Sequence, residues 1–239
     1  MLEAVEGVED RRVALFAALG EPLRLAIVDR LVPGDVSPGE LRTELGLATN
    51  LLAHHLGVLE QAGVIRRVRS EGDRRRSYLQ LRLDEPLVWA ACLAGPAAAT
   101  AVAAAPRIVF VCTGNSARSQ FAAASWAAVS AVPAMSAGTH PAPRVHPRAV
   151  TIGGRHGLHL EQAVPAAVGA VLREDDVVVA VCDRAHEELE DPASRLHWSI
   201  PDPARLDTEA AFEDAYVDIQ RRIHHLLTLQ EQRRGSRAS

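Results

Sequence analysis

From Val13 to Leu59 the apolar residues recur every three or four positions. Val13, Phe16 and Ala17 form one set, Leu23, Ile27 and Leu31 a second, Leu41 and Leu45 a third, and Leu52, Leu56 and Leu59 a fourth. This period puts each set on one face of a helix. The punctuation agrees. Pro22 is tolerated at a helix start, and Ser37-Pro38-x-Glu40 supplies an N-cap, a first-position proline and an early acid. Gly46 ends the short helix of Leu41 and Leu45, and Gly63 ends the one that begins near Thr49. The stretch "VIRRVRSEGDRRRSYLQLRL" then reads as two strands around a turn at Glu71-Gly72-Asp73.

The rhythm changes after "AGPAAATAVAAAP", residues 94–106. Strand-like runs "RIVFVC", "AMSAGT", "DVVVAVC" and "LHWSI" alternate with helical runs "SQFAAASWAAV", "HPRAVTIGGRHG" and "TEAAFEDAYVDIQRRIHHLLTLQ". That alternation predicts a parallel sheet with helices on both faces. The expected fold class is therefore α/β plus mostly-α, with a helical N-terminal domain and a hairpin before a parallel-sheet domain. The boundaries read as 1–93, a linker at 94–106, 107–231 and a disordered tail at 232–239.

Composition adds little and excludes some classes. The chain has 239 residues, 48% of them hydrophobic, and a formal net charge of −4, so no overall polyelectrolyte character points at nucleic acid. All 26 basic residues are Arg. Three cysteines, Cys92, Cys112 and Cys182, make no disulfide framework. The acidic opening "MLEAVEGVEDRR" is no signal peptide, and the Ala-rich run is broken by Gly-Pro, so no membrane partner is expected. The expected location is cytoplasmic.

The chemistry concentrates at "VCTGNSARSQ". A strand ends at Cys112 and a helix begins near Arg118, so Thr113, Gly114, Asn115, Ser116 and Ala117 must curl with backbone N–H groups pointing inward, an anion nest. Gly114 permits the turn, and Asn115 tolerates left-handed geometry. With Arg118 the nest stabilises a thiolate at Cys112, Arg118 clamps two oxygens of a tetrahedral oxyanion, and Ser119 donates to the sulfur. In the N-terminal half, two short helices and a basic hairpin make a winged helix-turn-helix. Arg66, Arg67, Arg69, Arg74, Arg75 and Arg76 suit phosphate contacts. A solvated strand pair would carry the same arginines, so the charge run alone leaves both readings open.

Residues 11–93, through "ALGEPLRL", "HHLGVLEQAGVI" and the Arg-rich wing, resemble the ArsR-type transcriptional repressors. The resemblance implies a homodimer formed through the N-terminal domain and a double-stranded DNA operator, with the helix near Thr49 to Gln61 in the major groove. Ala53 and Gly57 depart from the Ser and Lys often found beside the His-His pair, so base contacts fall to Thr49, Asn50 and His54. Neighbours on a helix point apart, so His54 contacts DNA and His55 packs. The cysteine-bearing metalloid site of many relatives is missing from "SPGELRTELG", Cys92 reads as a small buried residue, and no metal site is expected.

Residues 106–230, through "RIVFVCTGNSARSQ", "SAGTHPAPRVHPRAV" and "HWSIPDPARLD", resemble the low-molecular-weight protein tyrosine phosphatase fold, and within it the arsenate reductases. The resemblance implies that Cys112 attacks a bound arsenate or phosphate-type oxyanion while Asp202, in Asp202-Pro203, protonates the leaving oxygen. Asp191-Pro192 precedes the strand and is a decoy. Cys182 stands where arsenate reductases carry a resolving cysteine. Ala204, Arg205 and Leu206 replace the aromatics of a phosphotyrosine slot, and Gln120 stands where phosphatases usually have Pro. Leu189 and Ala117 occupy positions of further relay cysteines, so an external thiol reductant, low-molecular-weight or thioredoxin-like, is expected, with no bound cofactor. The principal expectation is an ArsR-type regulator fused to an arsenate reductase-like enzyme. The alternatives are a phosphatase fused to a DNA-binding domain, and a regulator that only senses an oxyanion or redox state.

Overall fold

The computed structural model describes residues 2–92, 105–189 and 195–237. The expected linker falls almost wholly outside these residues, as does Asp191-Pro192. The chain forms two compact units, Met1–Arg69 with Arg75–Ala98, and Ser70–Arg74 with Ala99–Ser239. No helix of the described residues is long and apolar enough to cross a membrane.

The first unit contains α1 (Leu2–Leu19), α2 (Pro22–Leu31), α3 (Pro38–Leu45), α4 (Thr49–Gln61), β1 (Ile65–Arg69), β2 (Ser77–Leu81) and α5 (Pro86–Cys92). Helix α3 starts with a full capping box: the Glu40 amide donates to Ser37 Oγ at 3.2 Å, and the Ser37 amide donates to Glu40 Oε2 at 2.9 Å. Gly46 (φ 63°) and Gly63 (φ 69°) close α3 and α4 in the left-handed region, where a Cβ would strain the backbone. The sets on α2, α3 and α4 supply one core, in which Ile27, Leu41, Leu56, Leu59, Ile65 and Leu79 are fully buried, but the first set does not: Val13, Phe16 and Ala17 are exposed, and α1 turns Leu15 and Ala18 inward instead. Strands β1 and β2 pair antiparallel, and Val36 adds a bridge to Leu79.

The second unit is built on four parallel strands in the order β4-β3-β5-β6: β3 (Ile108–Cys112), β4 (Ala134–Gly138), β5 (Val177–Ala180) and β6 (Arg195–His197). The helices are α6 (Arg118–Val129), α7 (Pro147–Arg155), α8 (Val168–Val171), α9 (Asp183–Glu188), α10 (Pro203–Leu206) and α11 (Glu209–Arg237). All five residues of β3 are buried, as a central parallel strand demands. Phe110 packs against Trp126 and Trp198 at ring centroids 6.2 and 5.8 Å away.

Three details differ from the sequence expectation. "DVVVAVC" is strand only through Ala180, so Cys182 does not end β5. It N-caps α9, its sulfur accepting from the Ala185 amide at 3.4 Å. "LHWSI" is strand only to His197, and Trp198–Ile200 leave the sheet to begin the segment that carries Asp202. The backbone of 232–237, expected as disordered tail, continues α11. "QEQRR" contains good helix formers and no proline, so no local stop precedes Gly235.

Candidate functional site: an oxyanion loop and a basic reading head

Loop 112–118 joins β3 to α6. Its left-handed residue is Asn115, at φ 48°, and not Gly114. Gly114 matters through space instead, because a Cβ there would lie 3.2 Å from Ser116 Oγ. The Asn115 side chain fixes the turn: Nδ2 donates to Ser119 Oγ at 2.8 Å, and Oδ1 accepts from the Ala166 amide at 2.8 Å.

The carbonyls of the loop all have partners outside it. Those of Cys112, Thr113, Gly114 and Ser116 accept from the amides of Thr139, His140, Ala142 and His146 at 3.1, 2.8, 2.8 and 2.8 Å. The Asn115 carbonyl accepts from Gln120 Nε2 at 3.1 Å. In a planar trans peptide the N–H points opposite to the carbonyl. Holding these carbonyls outward therefore turns the following N–H groups inward. One of them is seen at work: the Asn115 amide donates to Cys112 Sγ at 3.2 Å. Among the described residues, the amides of Thr113, Gly114, Ser116 and Ala117 find no protein acceptor. Ala117 is nevertheless only 3% exposed, and buried N–H groups rarely go unpaired without a ligand.

Four side chains converge on this nest. Ser119 Oγ lies 3.1 Å from Cys112 Sγ. Arg118 is buried; its Nη1 donates to the Ile200 carbonyl at 3.0 Å and its Nη2 pairs with Asp202 Oδ2 at 3.2 Å. Burial opposes the Arg118 charge, but the Cys182 and Cys112 sulfurs and the Asp202 carboxylate outweigh it and hold its pKa above the ordinary guanidinium value. Asp202 N-caps α10, with Oδ1 accepting from the Ala204 amide at 3.2 Å. Cys182 Sγ lies 3.5 Å from Thr113 Oγ1. Burial pushes the Cys182 thiol up, with Arg118 acting in the opposite direction. The structure thus brings Cys112, Arg118, Ser119, Asp202 and Cys182 to one place.

The backbone donors of the strap at 139–146 and of Ala166, and the contact of Gln120 with Asn115, shape the loop without a signal of their own in residue type. A signal existed at Gly138. A Cβ there would sit 2.8 Å from the Thr113 carbonyl and 3.0 Å from the Asn115 amide, so only glycine lets the strap approach.

On α4 of the first unit, Thr49, Asn50 and His54 are exposed, whereas His55 is buried with Nδ1 3.4 Å from Glu21 Oε2. Leu51, 45% exposed on the same helix, was not among the expected contacts. Arg66, Arg67, Arg69, Arg74, Arg75 and Arg76 are all on the exposed or partly exposed hairpin. Arg66 and Arg67 are braced: Arg66 Nε donates to Gln80 Oε1 at 2.8 Å and Arg67 Nε to Glu60 Oε1 at 3.1 Å. Cys92 is buried, and burial with the nearby Asp29 charge pushes its thiol up to about 12, which leaves it inert as a thiolate. Among the described residues no group of three His, Cys, Asp or Glu side chains is placed to hold a metal ion.

Comparison with known proteins places both halves. The profile of the low molecular weight phosphotyrosine protein phosphatases matches residues 107–235, more than half of the chain, and the chain belongs to that family. A helix-turn-helix domain profile matches residues 19–68. The biofilm growth-associated repressor of Xylella fastidiosa (strain Temecula1) is 39% identical over 51 residues, 21% of this chain and 45% of the repressor. The transcriptional repressor SdpR of Bacillus subtilis is 35% identical over 51 residues, 21% of this chain and 57% of SdpR. The chain thus spans about half the length of the curated relatives it matches. Among solved structures, the arsenate reductase of Archaeoglobus fulgidus is 29% identical, covering 48% of this chain and 94% of its own, with a TM-score of 0.43. The tyrosine phosphatase Wzb of Escherichia coli K30 is 20% identical, covering 50% and 94%, with a TM-score of 0.45. The chain joins a helix-turn-helix domain to a domain of the low molecular weight phosphotyrosine protein phosphatase family.

Proposed function

We propose that the protein is a cytoplasmic, DNA-binding regulator whose second domain reduces arsenate with thiols. One observation carries the enzymatic half: a nest of inward amides and a buried guanidinium surrounds Cys112, and a second cysteine touches the nest through Thr113. Thr113, Gly114, Ser116, Ala117 and Arg118 hold the oxyanion. The Cys112 thiolate attacks arsenic(V), and Asp202 donates a proton to the departing hydroxide, which leaves as water. Cys182 then attacks Cys112 Sγ. The S–S bond forms as the S–As bond breaks, its electron pair stays on arsenic, and arsenite leaves. Two equivalents of an external thiol reduce the disulfide and end as their own disulfide.

In the regulatory half, Thr49, Asn50 and His54 on α4 read operator bases while the hairpin arginines hold phosphates. Exposed Phe16 and Val13 on α1 favour a homodimer, because large apolar side chains on a helix call for a partner surface. A phosphatase is the second reading, favoured by the Asp202–Arg118 pair, which serves a phosphoryl leaving group equally well. The deciding assay gives purified protein arsenate with glutathione-type thiols, and separately p-nitrophenyl phosphate. Arsenite production that is lost in Cys182→Ser supports the reductase. Aryl phosphate turnover that is indifferent to Cys182→Ser, without arsenite, replaces it with the phosphatase.

A further inference from the structure

The carbonyls around the nest are not held alike. Four of the five from Cys112 to Ser116 accept backbone amides from 139–146, whereas the Asn115 carbonyl accepts a side chain, Gln120 Nε2, at 3.1 Å. We propose that Gln120 is a positioning residue for the oxyanion nest: it locks the Asn115–Ser116 peptide so that the Ser116 amide faces the anion. The proposal rests on the reading of loop 112–118 as an oxyanion site.

The peptide plane between Asn115 and Ser116 is oriented by ψ of Asn115 and φ of Ser116, and a rotation of that single plane exchanges an outward carbonyl for an inward one. Such a rotation removes the Ser116 donor and puts a carbonyl oxygen, a repulsive dipole, against the bound anion. The Asn115 side chain does not prevent this, because its bonds to Ser119 and Ala166 fix the Cβ branch and not the carbonyl. Gln120 does. It lies in the first turn of α6 and is only 6% exposed, so its amide acts away from competing water. The hydrophobic length of the side chain is incidental to this role, and the donor is the requirement.

The test uses the full chain and inorganic phosphate as the probe. Phosphate protection of Cys112 from iodoacetamide, read by mass spectrometry of the Cys112 peptide, gives a dissociation constant without any need for turnover. Gln120→Met keeps the length and removes the donor. Gln120→Glu keeps the shape and places an acceptor against the carbonyl, and it supplies the reading if the methionine variant fails to fold. Each is expected to weaken phosphate protection by about tenfold, the worth of one hydrogen bond to a charged group. A variant that melts with the wild type but has lost protection is the signature of positioning. Folded variants with wild-type phosphate affinity overturn the proposal. Wild-type protein that phosphate and arsenate both fail to protect overturns the oxyanion site itself, a result distinct from a defect confined to the Gln120 variants.

Discussion

Both halves of the chain gather guanidinium groups, and they do so by opposite means. In the hairpin the arginines are exposed on a two-stranded ribbon, with Arg66 braced by the buried Gln80 and Arg67 by Glu60. In the loop a single arginine, Arg118, is buried, and most donors are peptide groups whose direction is fixed by carbonyl partners. Exposed charges act through water and are screened by salt within about 10 Å at 0.1 M. Inward amides in a buried nest are hardly screened, and they need no reorganisation when charge develops. The hairpin suits a long polyanion at many registers, and the loop suits one small tetrahedral ion in one pose.

This contrast is broken most sharply at Cys112. Cys112→Ser should reduce turnover of arsenate or aryl phosphate by about 10⁴-fold or more, since the nucleophile is lost. Phosphate binding, measured by calorimetry, should survive, because the amides and Arg118 remain. Retained turnover would move the chemistry away from the loop. Arg118→Lys comes next, with an expected loss of about 10²–10³ in turnover, because one ammonium cannot reproduce the donors that Arg118 directs at Ile200 and Asp202 together with a two-pronged clamp on an oxyanion. Near-wild-type rates would show that the amides alone carry the site.

The hairpin should respond differently. Replacing both Arg74 and Arg75 with Ala should weaken binding to duplex DNA of any sequence, by about tenfold at low salt. The slope of log affinity against log salt should flatten by about 2, roughly one unit per lost phosphate contact. An unchanged slope would return the hairpin to a solvated ribbon. The same salt series should leave phosphate protection of Cys112 nearly flat, and a matching salt dependence at both sites would show that exposed arginines and inward amides respond to screening alike.

The sequence was legible where function is written in local chemistry. Ser37 and Glu40 announced a cap, Gly46 and Gly63 announced helix ends, and the spacing of Cys112 and Arg118 announced a nest. It was opaque where the partner is distant. The amides that hold the loop carbonyls come from Thr139, His140, Ala142 and His146, and backbone donors leave no residue-type signature. Gln120 was visible only as a departure from proline, with nothing to say that its amide reaches back to Asn115. Cys182 was misplaced at a strand end because apolar runs carry no mark of where pairing stops.

The smallest expected effect lies behind the loop, at Asp183, the residue after Cys182. Asp183 and His197 are both buried, with His197 Nε2 3.0 Å from Asp183 Oδ1, and the His186 ring stacks on His197 at 4.1 Å. Burial pushes the Asp183 carboxyl up, but hydrogen bonds from His197 and Ser199 outweigh it and hold its pKa below the usual carboxylate value. A carboxyl with a lowered native pKa binds fewer protons folded than unfolded. Its contribution to stability is therefore complete above the unfolded value of about 4 and is lost as pH falls through the native pKa. Asp183→Asn keeps the shape and one acceptor but removes the charge. At pH 7 it should cost about 1 kcal/mol, a fall of a few °C in Tm. As pH falls from about 4 through the native pKa the gap between variant and wild type should narrow, because the unfolded carboxyl takes up its proton first and the folded one only later. Thermal melts of the two proteins between pH 3 and pH 7 measure this directly. A gap that stays constant with pH would show that Asp183 contributes by packing and not by charge.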